Sequence, residues 1–255
     1  MEQQHGVGAA RFAELARGAV DRVVDANKDG VARAARLVAD CVAADGVIHA
    51  FGTGHSQAAA LEVAGRAGGL VPTSRIALAD LVLRGGQDPA ILRDPLLERS
   101  PGLADRLYAL ATPRPQDLFV IISNSGVNNA VVDLALKVTG AGHPLIALTS
   151  LEHTHAVPAL HPSGKRLADL ADAVLDNGAP AGDAVLPLPG DGALCGISTL
   201  TSSLLVQMVV ADAVALLLAE GIEPPVYVSA NLPGGHERNA LLEARYAGRL
   251  HRGGH

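Results

Sequence analysis

The amino-acid sequence predicts an α/β fold, a three-layer doubly wound sandwich in which a parallel sheet of about five strands lies between two layers of helices. Short runs of apolar residues alternate with stretches in which apolar residues recur at helical spacing. The short runs are apolar at consecutive positions, as is typical of strands buried on both faces. Hydrophobic residues make up 49% of the 255 residues, which is enough to build the core of such a sandwich.

Two amphipathic helices are predicted before the first strand. Residues 11–26 have apolar side chains at helical spacing. A second helix is expected to start with Asp29 as its N-cap, to run through Val42 and to end at Gly46. We therefore expect residues 1–45 to form an N-terminal helical arm and residues 46–250 to form a single domain.

Two later segments repeat the order of strand, small polar loop and helix. Residues 47–51 predict a strand that leads directly into Gly52-Thr53-Gly54-His55-Ser56 and a helix over 57–67. The order recurs as an apolar run over 118–122, the loop Ser123-Asn124-Ser125-Gly126 and a helix over 128–139. Shorter apolar runs predict further strands over 144–148, 173–176 and 185–187.

The longest helical pattern covers residues 199–219 and is apolar on nearly all sides. Such a helix is buried in the core or across a subunit interface, so a homodimer or a higher homo-oligomer is expected. A polar segment follows it and leads into a last predicted helix over 237–249. The longest apolar stretch is interrupted by Gln207 and Asp212, which argues against a membrane span.

Composition and charge exclude several partners. The chain has three Phe, three Tyr and no Trp, so it lacks the aromatic platforms on which nucleic-acid bases or sugar rings stack. The formal charge is −6, and no cluster of five or more Lys and Arg residues is present. We therefore expect neither a nucleic acid nor an anionic membrane as a partner.

The two cysteines and the N-terminus indicate a cytoplasmic protein. Residues 1–8 have neither the basic start nor the apolar run of a signal peptide. Cys41 and Cys195 lie far apart in the sequence in segments poor in polar residues. Both are expected to be buried free thiols, as is usual in a reducing compartment.

The two small polar loops predict a phosphate site. Where a strand turns into a helix, free N–H groups and the helix dipole favour an anion, and Gly, Ser and Thr allow close approach and further hydrogen bonds. Two such loops on neighbouring parallel strands converge on one group. Neither loop contains Lys or Arg, so the phosphate is expected to bind to neutral donors. Ordinary strand-to-helix turns are the alternative interpretation.

These loops resemble the two phosphate loops of SIS (sugar isomerase) domain proteins, which are five-stranded parallel α/β domains that bind phosphosugars. The resemblance extends from about Asn27 to Tyr246. Longer motifs resemble a bacterial subgroup related to phosphoheptose isomerases and associated with amino-sugar use. These motifs are His161-Pro-Ser-Gly-Lys165, Asp176-Asn-Gly-Ala-Pro180, Gly182-Asp183, Ser198-Thr199, Ser229-Ala-Asn231 and Gly234-Gly235-His236-Glu237-Arg238-Asn239.

The resemblance implies where a phosphate binds. It assigns the group to Ser56, Ser123, Ser125 and the backbone of Asn124. It also points to Asn128, although related isomerases often have a hydroxyl residue at that position. Sugar-binding candidates follow the strands or lie late in the chain, and they are Gly54, Glu152, His153, Asp176 and Asn231.

The resemblance also suggests three catalytic residues. Glu62 precedes Gly65 and Arg66, as in the Glu-x-x-Gly-Arg pattern of phosphoheptose isomerases, but it lies three residues closer to the loop; the alternative is a helix-surface carboxylate. His55 lies inside the first loop, where it either acts on the sugar or caps the helix. His236 follows two glycines among polar residues, and it belongs to its own site or to that of a neighbouring subunit.

No cofactor or metal is expected. Glu152, His153 and His155 lie close together in sequence, but two histidines at i and i+2 fit neither a helical His-x-x-x-His pair nor a known zinc pattern. Contacts from Glu152 or His153 to sugar hydroxyls are the favoured interpretation.

A carboxylate with histidines beside a phosphosugar suits proton abstraction next to a carbonyl. The leading hypothesis is an enzyme on an amino-sugar 6-phosphate, with N-acetylglucosamine 6-phosphate as the best candidate, that opens the ring, deprotonates C2 and eliminates water. An aldose–ketose isomerase or a deaminase is the alternative on the same fold. A non-catalytic phosphosugar sensor is the alternative of another class.

Overall fold

Five parallel strands form the central sheet in the computed structural model, which describes residues 7–252. Their spatial order is β2-β1-β3-β4-β5, so the predicted doubly wound fold is confirmed. The predictions for residues 1–6 and 253–255 lie outside the described residues. The strands are β1 (Ile48–Gly52), β2 (Thr73–Ile76), β3 (Leu118–Ile122), β4 (Leu145–Thr149) and β5 (Ala173–Asp176).

Helices cover both faces of the sheet. α2, α3 and α8 share a core with one face, while α5 and α6 share a core with the other. A separate antiparallel hairpin of β6 (Ala184–Pro187) and β7 (Ala193–Gly196) precedes α8. The helices are α1 (Ala9–Ala26), α2 (Lys28–Ala43), α3 (Gln57–Val63), α4 (Asp80–Leu83), α5 (Leu103–Ala111), α6 (Asn129–Gly140), α7 (Leu151–Ala156), α8 (Ser198–Ala219) and α9 (Gly235–Ala244).

The consecutive apolar residues of the strands supply both cores. In β3, Val120 and Ile122 pack among α2, α3 and α8, whereas Phe119 and Ile121 pack against α5 and α6. Successive side chains of a strand point to opposite faces, so a strand between two helical layers must be apolar at every position. This requirement explains why the central strands were visible in the sequence.

The second helix starts earlier than predicted, and Asp29 is not its N-cap. Asn27 occupies the cap position, and Asp29 lies in the first turn of α2. The side chain of Asn27 pairs with the backbone of Asp176, accepting from its N–H at 2.8 Å and donating to its carbonyl at 2.8 Å. Asn27 therefore joins the α1–α2 corner to the end of β5.

The α2 helix is part of the sandwich. Its residues Ala34, Ala35 and Val38 are buried in the same core as α8. The boundary predicted at residue 45, between the helical arm and the domain, stays a prediction. The core shared by α2 and α8 extends across this position.

Two helices end before the predicted position. α3 stops at Val63, where the chain turns through Gly65 with a φ of +86°, a conformation that glycine adopts without steric cost. α9 ends at Ala244. The segment after α9 runs back along the sheet, where the N–H of Arg75 in β2 donates to the carbonyl of His251.

The long apolar helix α8 is buried on one side only. Leu205, Val209 and Ala213 are buried against α2 and the sheet, but Leu200 and Leu218 on the outer side are 41% and 61% exposed. Burial in the core of one chain therefore accounts for one side of the helix only, and burial of the outer side across a subunit interface stays a prediction. Among residues 7–252, α8 alone is long and apolar enough to cross a membrane, but its packing on α2 and α3 is that of a core helix.

The two cysteines have different environments. Both are free thiols, but only Cys41 is buried, and Cys195 is exposed on β7. Burial raises the pKa of the Cys41 thiol to about 12. The prediction that Cys195 is buried is wrong, because the β6–β7 hairpin lies outside the two cores of the sandwich.

Candidate functional site

The two predicted phosphate loops follow neighbouring strands at the point where the strand order reverses. β1 lies between β2 and β3, so the chain leaves β1 toward one side of the sheet and later returns on the other. Gly52 at the end of β1 is paired with Ile122 at the end of β3. Both loops therefore start at the same level, beside the crevice in which α/β proteins bind ligands.

The first loop folds tightly because of its glycines. A Cβ on Gly52 would lie 2.6 Å from the carbonyl oxygen of Ser56, so only glycine fits there. Gly54 has a φ of +54° and opens a short 3₁₀ turn that ends at Ser56, directly before α3. His55 lies in this turn with an exposed side chain. The loop thus presents Ser56, Gly54 and His55 together at the end of β1.

The second loop is ordered by its own side chains. The hydroxyl of buried Ser123 accepts a hydrogen bond from the N–H of Gly126 at 3.1 Å. Gly126 has a φ of +62°, and a Cβ there would lie 3.3 Å from both Leu167 and Thr149. Asn128 is the N-cap residue of α6, so the free N–H groups of the first turn of this helix start beside the loop.

Neighbouring elements hold the second loop in place. The carbonyls of Asn124 and Ser125 accept hydrogen bonds from Thr149 and Thr154 at 3.1 and 3.0 Å. The side-chain oxygen of Asn124 accepts from buried Asn177 at 2.7 Å, and Asn177 also contacts the hydroxyl of Ser202 in α8 at 3.3 Å. These hydrogen bonds hold the backbone of the second loop against β4, α7 and the turn after β5.

Three sugar-binding candidates follow β4 and β5. Asp176 uses Oδ1 to accept from the N–H groups of Leu151 and Gly178. Glu152 is exposed and accepts from the N–H of Ala181 at 3.3 Å. His153 is half-buried, and its ring Nδ1 has no hydrogen-bond partner among the described residues. Asp176 thus organises the turn after β5, and the sugar contacts of all three stay predictions.

Glu62 lies near the end of α3 at its contact with α8, and one of its carboxylate oxygens accepts hydrogen bonds. Its Oε1 accepts from the guanidinium of Arg66 and, at 2.7 Å, from the side-chain amide of Gln207. Its side chain is 20% exposed. Glu62 is therefore a half-buried, held carboxylate rather than a freely solvated one on the helix surface.

His236 and Asn231 do not lie beside the phosphate loops in this chain. His236 lines a separate cleft of about 310 Å³ together with Gly65, Tyr227 and Arg252. Asn231 lies in the turn that leads into α9, with its N–H donating to the hydroxyl of Ser229. The catalytic role of His236 and the sugar contact of Asn231 stay predictions, and the possibility that a neighbouring subunit uses them stays open.

A second cleft, of about 500 Å³, borders the start of α6, just after the second loop. Asn128 and Asn129 line one side of it, and Pro95, Glu98 and Arg99 line the other. Arg99 belongs to the segment between α4 and α5, which the sequence did not connect with the phosphate loops. This cation near the start of α6 could be recognised only from the tertiary structure.

No group of three or more metal-ligating side chains occurs within residues 7–252. Glu152, His153 and His155 share the single short helix α7.

Comparison with known proteins identifies the family. Residues 11–150 match the family model of the SIS domain. The chain belongs to the SIS-domain family. A UPF0309 protein of Listeria monocytogenes is 40% identical over 94% of this chain and 97% of its own length. A UPF0309 protein of Streptomyces griseus is 39% identical over 95% of this chain and 96% of its own.

Solved structures share the fold of this SIS domain. Phosphoheptose isomerase GmhA of Neisseria gonorrhoeae is similar with a TM-score of 0.54 and 20% identity, covering 81% of this chain and 96% of that chain. A Bacteroides fragilis protein assigned as a phosphosugar isomerase involved in capsule formation gives 0.53 and 18%, covering 81% and 90%. The five-stranded parallel sheet with helices on both faces is thus common to this chain and these neighbours.

The second loop of the SIS domain supplies a test of the phosphate site. We expect Gly126→Ala to weaken phosphosugar binding about tenfold. A left-handed alanine costs about 1–2 kcal/mol, and its Cβ presses on Leu167 and Thr149, so the loop relaxes and the ligand must restore the binding conformation at that cost. Gly140→Ala is the matched control, because Gly140 ends α6, the helix that follows this loop, with nothing within 4 Å of its Cβ. Ligand-induced thermal shifts measure the affinities, and equal binding by Gly126→Ala and wild type would refute the role of this loop.

Proposed function

We propose that the protein is an enzyme that acts on a phosphorylated sugar, and that its substrate is an amino-sugar 6-phosphate, with N-acetylglucosamine 6-phosphate as the best candidate. The observation that supports this most strongly is the pair of serine- and glycine-containing loops side by side at the ends of β1 and β3. The fold neighbour from Neisseria gonorrhoeae is a phosphoheptose isomerase, which supports a phosphosugar as the ligand.

The phosphate binds between the two loops in this proposal. Ser56, Ser123 and Ser125 offer hydroxyl groups, Asn124 offers its N–H, and Asn128 starts the helix whose N-terminus favours an anion. These donors are neutral, so the phosphate is recognised by shape and hydrogen bonds. Arg99, across the neighbouring cleft, is the nearby cation that supplements them.

Glu62 acts as the general base. It lies six residues after Ser56, about 9 Å along the chain at helical rise, and an extended open-chain hexose 6-phosphate together with the reach of the glutamate side chain spans that distance. The carboxylate takes the C2 proton, and the C2–H electron pair forms a C1–C2 double bond as the C1 carbonyl oxygen becomes the enol or enolate oxygen. General acid–base groups of this kind contribute about 10²–10⁴-fold each.

The next proton transfer decides the product. In dehydration, the C1 carbonyl re-forms, a C2–C3 double bond forms, and the C3 hydroxyl leaves as water after it takes a proton from Glu62 or a histidine such as His55. In isomerisation, the proton enters at C1 and a ketose forms. We favour dehydration, because an N-acetyl group at C2 provides no hydroxyl from which a ketose carbonyl can form.

Proton exchange tests this function directly. Wild-type protein is incubated with N-acetylglucosamine 6-phosphate in D₂O, and the C2 proton is followed by NMR together with ultraviolet absorbance. We expect loss of the C2 proton signal and a new chromophore from the unsaturated product. Exchange accompanied by a ketose identifies the isomerase instead. The absence of exchange, chromophore and ketose would refute the proposed activity.

A phosphosugar sensor is the second candidate, since it would use the same loops without chemistry. It predicts tight phosphosugar binding with no turnover for wild type and for every Glu62 variant. The held carboxylate of Glu62, half-buried between two helices, favours the enzyme.

We propose that the protein forms a homodimer through the outer face of α8. Leu200 and Leu218 on this face are exposed in the single chain, and Asp212 is the sole charged side chain of this fully described helix. The face repeats apolar side chains at alternating spacings of four and three, as helices do when they pack on one another. These side chains are Leu204, Met208, Ala211, Ala215 and Leu218.

Sedimentation tests the dimer. We expect the wild type to sediment as a dimer and Leu218→Arg to sediment as a monomer, because the new charge lies in the apolar contact. Leu241→Arg on α9 is the control, since Leu241 is also exposed, at 75%, but lies on another surface. A monomeric wild type, or a dimeric Leu218→Arg, would contradict the proposed interface.

A cytoplasmic location is also proposed. It rests on the two free thiols, which persist most readily in a reducing compartment. Quantitative thiol labelling of protein isolated under non-reducing conditions and then unfolded tests it. Two free thiols per chain are the expected result, and a disulfide at either cysteine would contradict it.

A further inference from the structure

The apolar helix α8 contains one side-chain amide in its central part, that of Gln207. Its neighbours along the helix are Val206 and Met208, and the stretch from Leu204 to Val210 has no other polar side chain. An amide in such surroundings needs a hydrogen-bond partner, because an unpaired one costs about 1–3 kcal/mol. Gln207 finds its partner in Glu62, 145 residues earlier in the chain, at 2.7 Å.

The contact gives the two carboxylate oxygens of Glu62 different hydrogen-bonding environments. Oε1 receives both the amide of Gln207 and the guanidinium of Arg66. Oε2 has no hydrogen-bond partner within residues 7–252. Because one oxygen is anchored and the other is free, the carboxylate is oriented to accept a proton at Oε2.

We infer that Gln207 is a positioning residue for the general base: it fixes the carboxylate of Glu62 so that Oε2 faces the C2 proton of the substrate. This inference rests on the proposed function. Arg66 alone does not fix the carboxylate, because it lies in the turn just after α3, close to Glu62 in sequence, and its side chain is 48% exposed. Gln207 projects from a different helix, α8, which packs on the sheet, and so ties Glu62 to the core of the sandwich.

The variant Gln207→Met removes the donor and keeps the size of the side chain. We expect kcat for C2 proton exchange to fall about 10- to 100-fold, since a small displacement of a catalytic group has effects of this order. We expect KM, phosphosugar-induced thermal stabilisation and Tm to stay near the wild-type values, because the phosphate loops are untouched. Gln116→Met, at the opposite end of the sheet from the loops, is the matched control and keeps wild-type kcat.

A double-mutant cycle decides whether Gln207 acts through Glu62. If it does, adding Gln207→Met to Glu62→Gln lowers kcat no further. An equal loss in both backgrounds would overturn the inference, as would an unchanged kcat in Gln207→Met or a loss that follows Tm alone. If Glu62→Gln itself keeps full exchange activity, the proposed function fails, and this result is distinct from the failure of Gln207 alone.

Discussion

Replacement of Glu62 by glutamine is expected to lower kcat for C2 proton exchange by about 10²- to 10⁴-fold, the contribution of one general base. Glutamine keeps the size of the side chain and its place between α3 and α8, but it cannot accept the proton. Because Glu62 does not contact the phosphate loops, the affinity for the phosphosugar is expected to stay within about threefold of wild type. Progress curves by NMR in D₂O give kcat, and thermal shifts give the affinity.

A matched carboxylate variant controls for the loss of charge. Glu223→Gln removes a carboxylate that is 87% exposed and is expected to keep wild-type kcat. If Glu62→Gln exchanges C2 as fast as wild type, Glu62 is not the base. Loss of binding in parallel with kcat would instead make Glu62 a ligand-binding or structural residue.

The variant Asp117→Asn is expected to destabilise the protein by about 3–5 kcal/mol, the usual cost of breaking a buried ion pair by removing one partner. Asp117 is 1% exposed and accepts from Arg249 at 2.5 Å and from His49 at 3.1 Å. It also accepts from the backbone N–H groups of Val47 and Arg114. The variant leaves Arg249, which is 10% exposed, without its counter-charge.

Urea unfolding measures the effect, and a second aspartate serves as control. Asp172 precedes β5 and accepts from the N–H of Leu145, much as Asp117 precedes β3 and accepts from that of Val47. Asp172 is exposed and has no ion pair among the described residues, so Asp172→Asn is expected to cost about 1 kcal/mol. Equal effects of the two variants would mean that the pairing of Asp117 with Arg249 adds nothing to stability.

The stability contributed by Asp117 depends on pH. Burial alone would raise the pKa of its carboxyl, but hydrogen bonds from His49, Arg114 and Val47 outweigh it and hold the pKa at about 2, below the ordinary 3.8. Because the folded pKa is lowered, this contribution of about 2 kcal/mol is present above pH 3.8 and is lost as the pH falls toward 2. The difference in unfolding free energy between wild type and Asp117→Asn should shrink over the same range.

The central strands and both phosphate loops were predictable because their signals are local. β1 and β3 are short, buried runs that are apolar apart from His49, since both faces of each strand are covered. The loops were visible because a glycine-rich turn must follow the strand directly if the helix is to start beside it. The resemblance to SIS-domain proteins rested on these same residues.

Elements at the margin of the sheet gave no such signal. β2 consists of Thr73-Ser-Arg-Ile76, a polar edge strand of four residues, and it forms because β1 offers a pairing edge and the C-terminal segment covers its other side. The helix α5 was also missed. It follows a long segment with two 3₁₀ turns, which obscured where regular structure resumes.

The parts of the candidate site that sequence reasoning missed are those built from distant segments. Asn177 holds Asn124, and Gln207 holds Glu62, across 53 and 145 residues. Arg99 reaches the cleft beside Asn128 from the segment before α5. The available sequence signal was indirect: Gln207 is a lone amide within an apolar helix, and such a residue requires a partner.

A structure of the wild-type protein with the 6-phosphate of N-acetylglucosaminitol, an open-chain alcohol that cannot react, tests the central claim most directly. We expect the phosphate to lie between Ser56, Ser123 and Ser125, with C2 facing Oε2 of Glu62 within about 3.5 Å. A phosphate bound elsewhere, in the cleft of His236 or on Arg99 without contact to either loop, would contradict the account. A C2 atom turned away from Glu62 would contradict it equally.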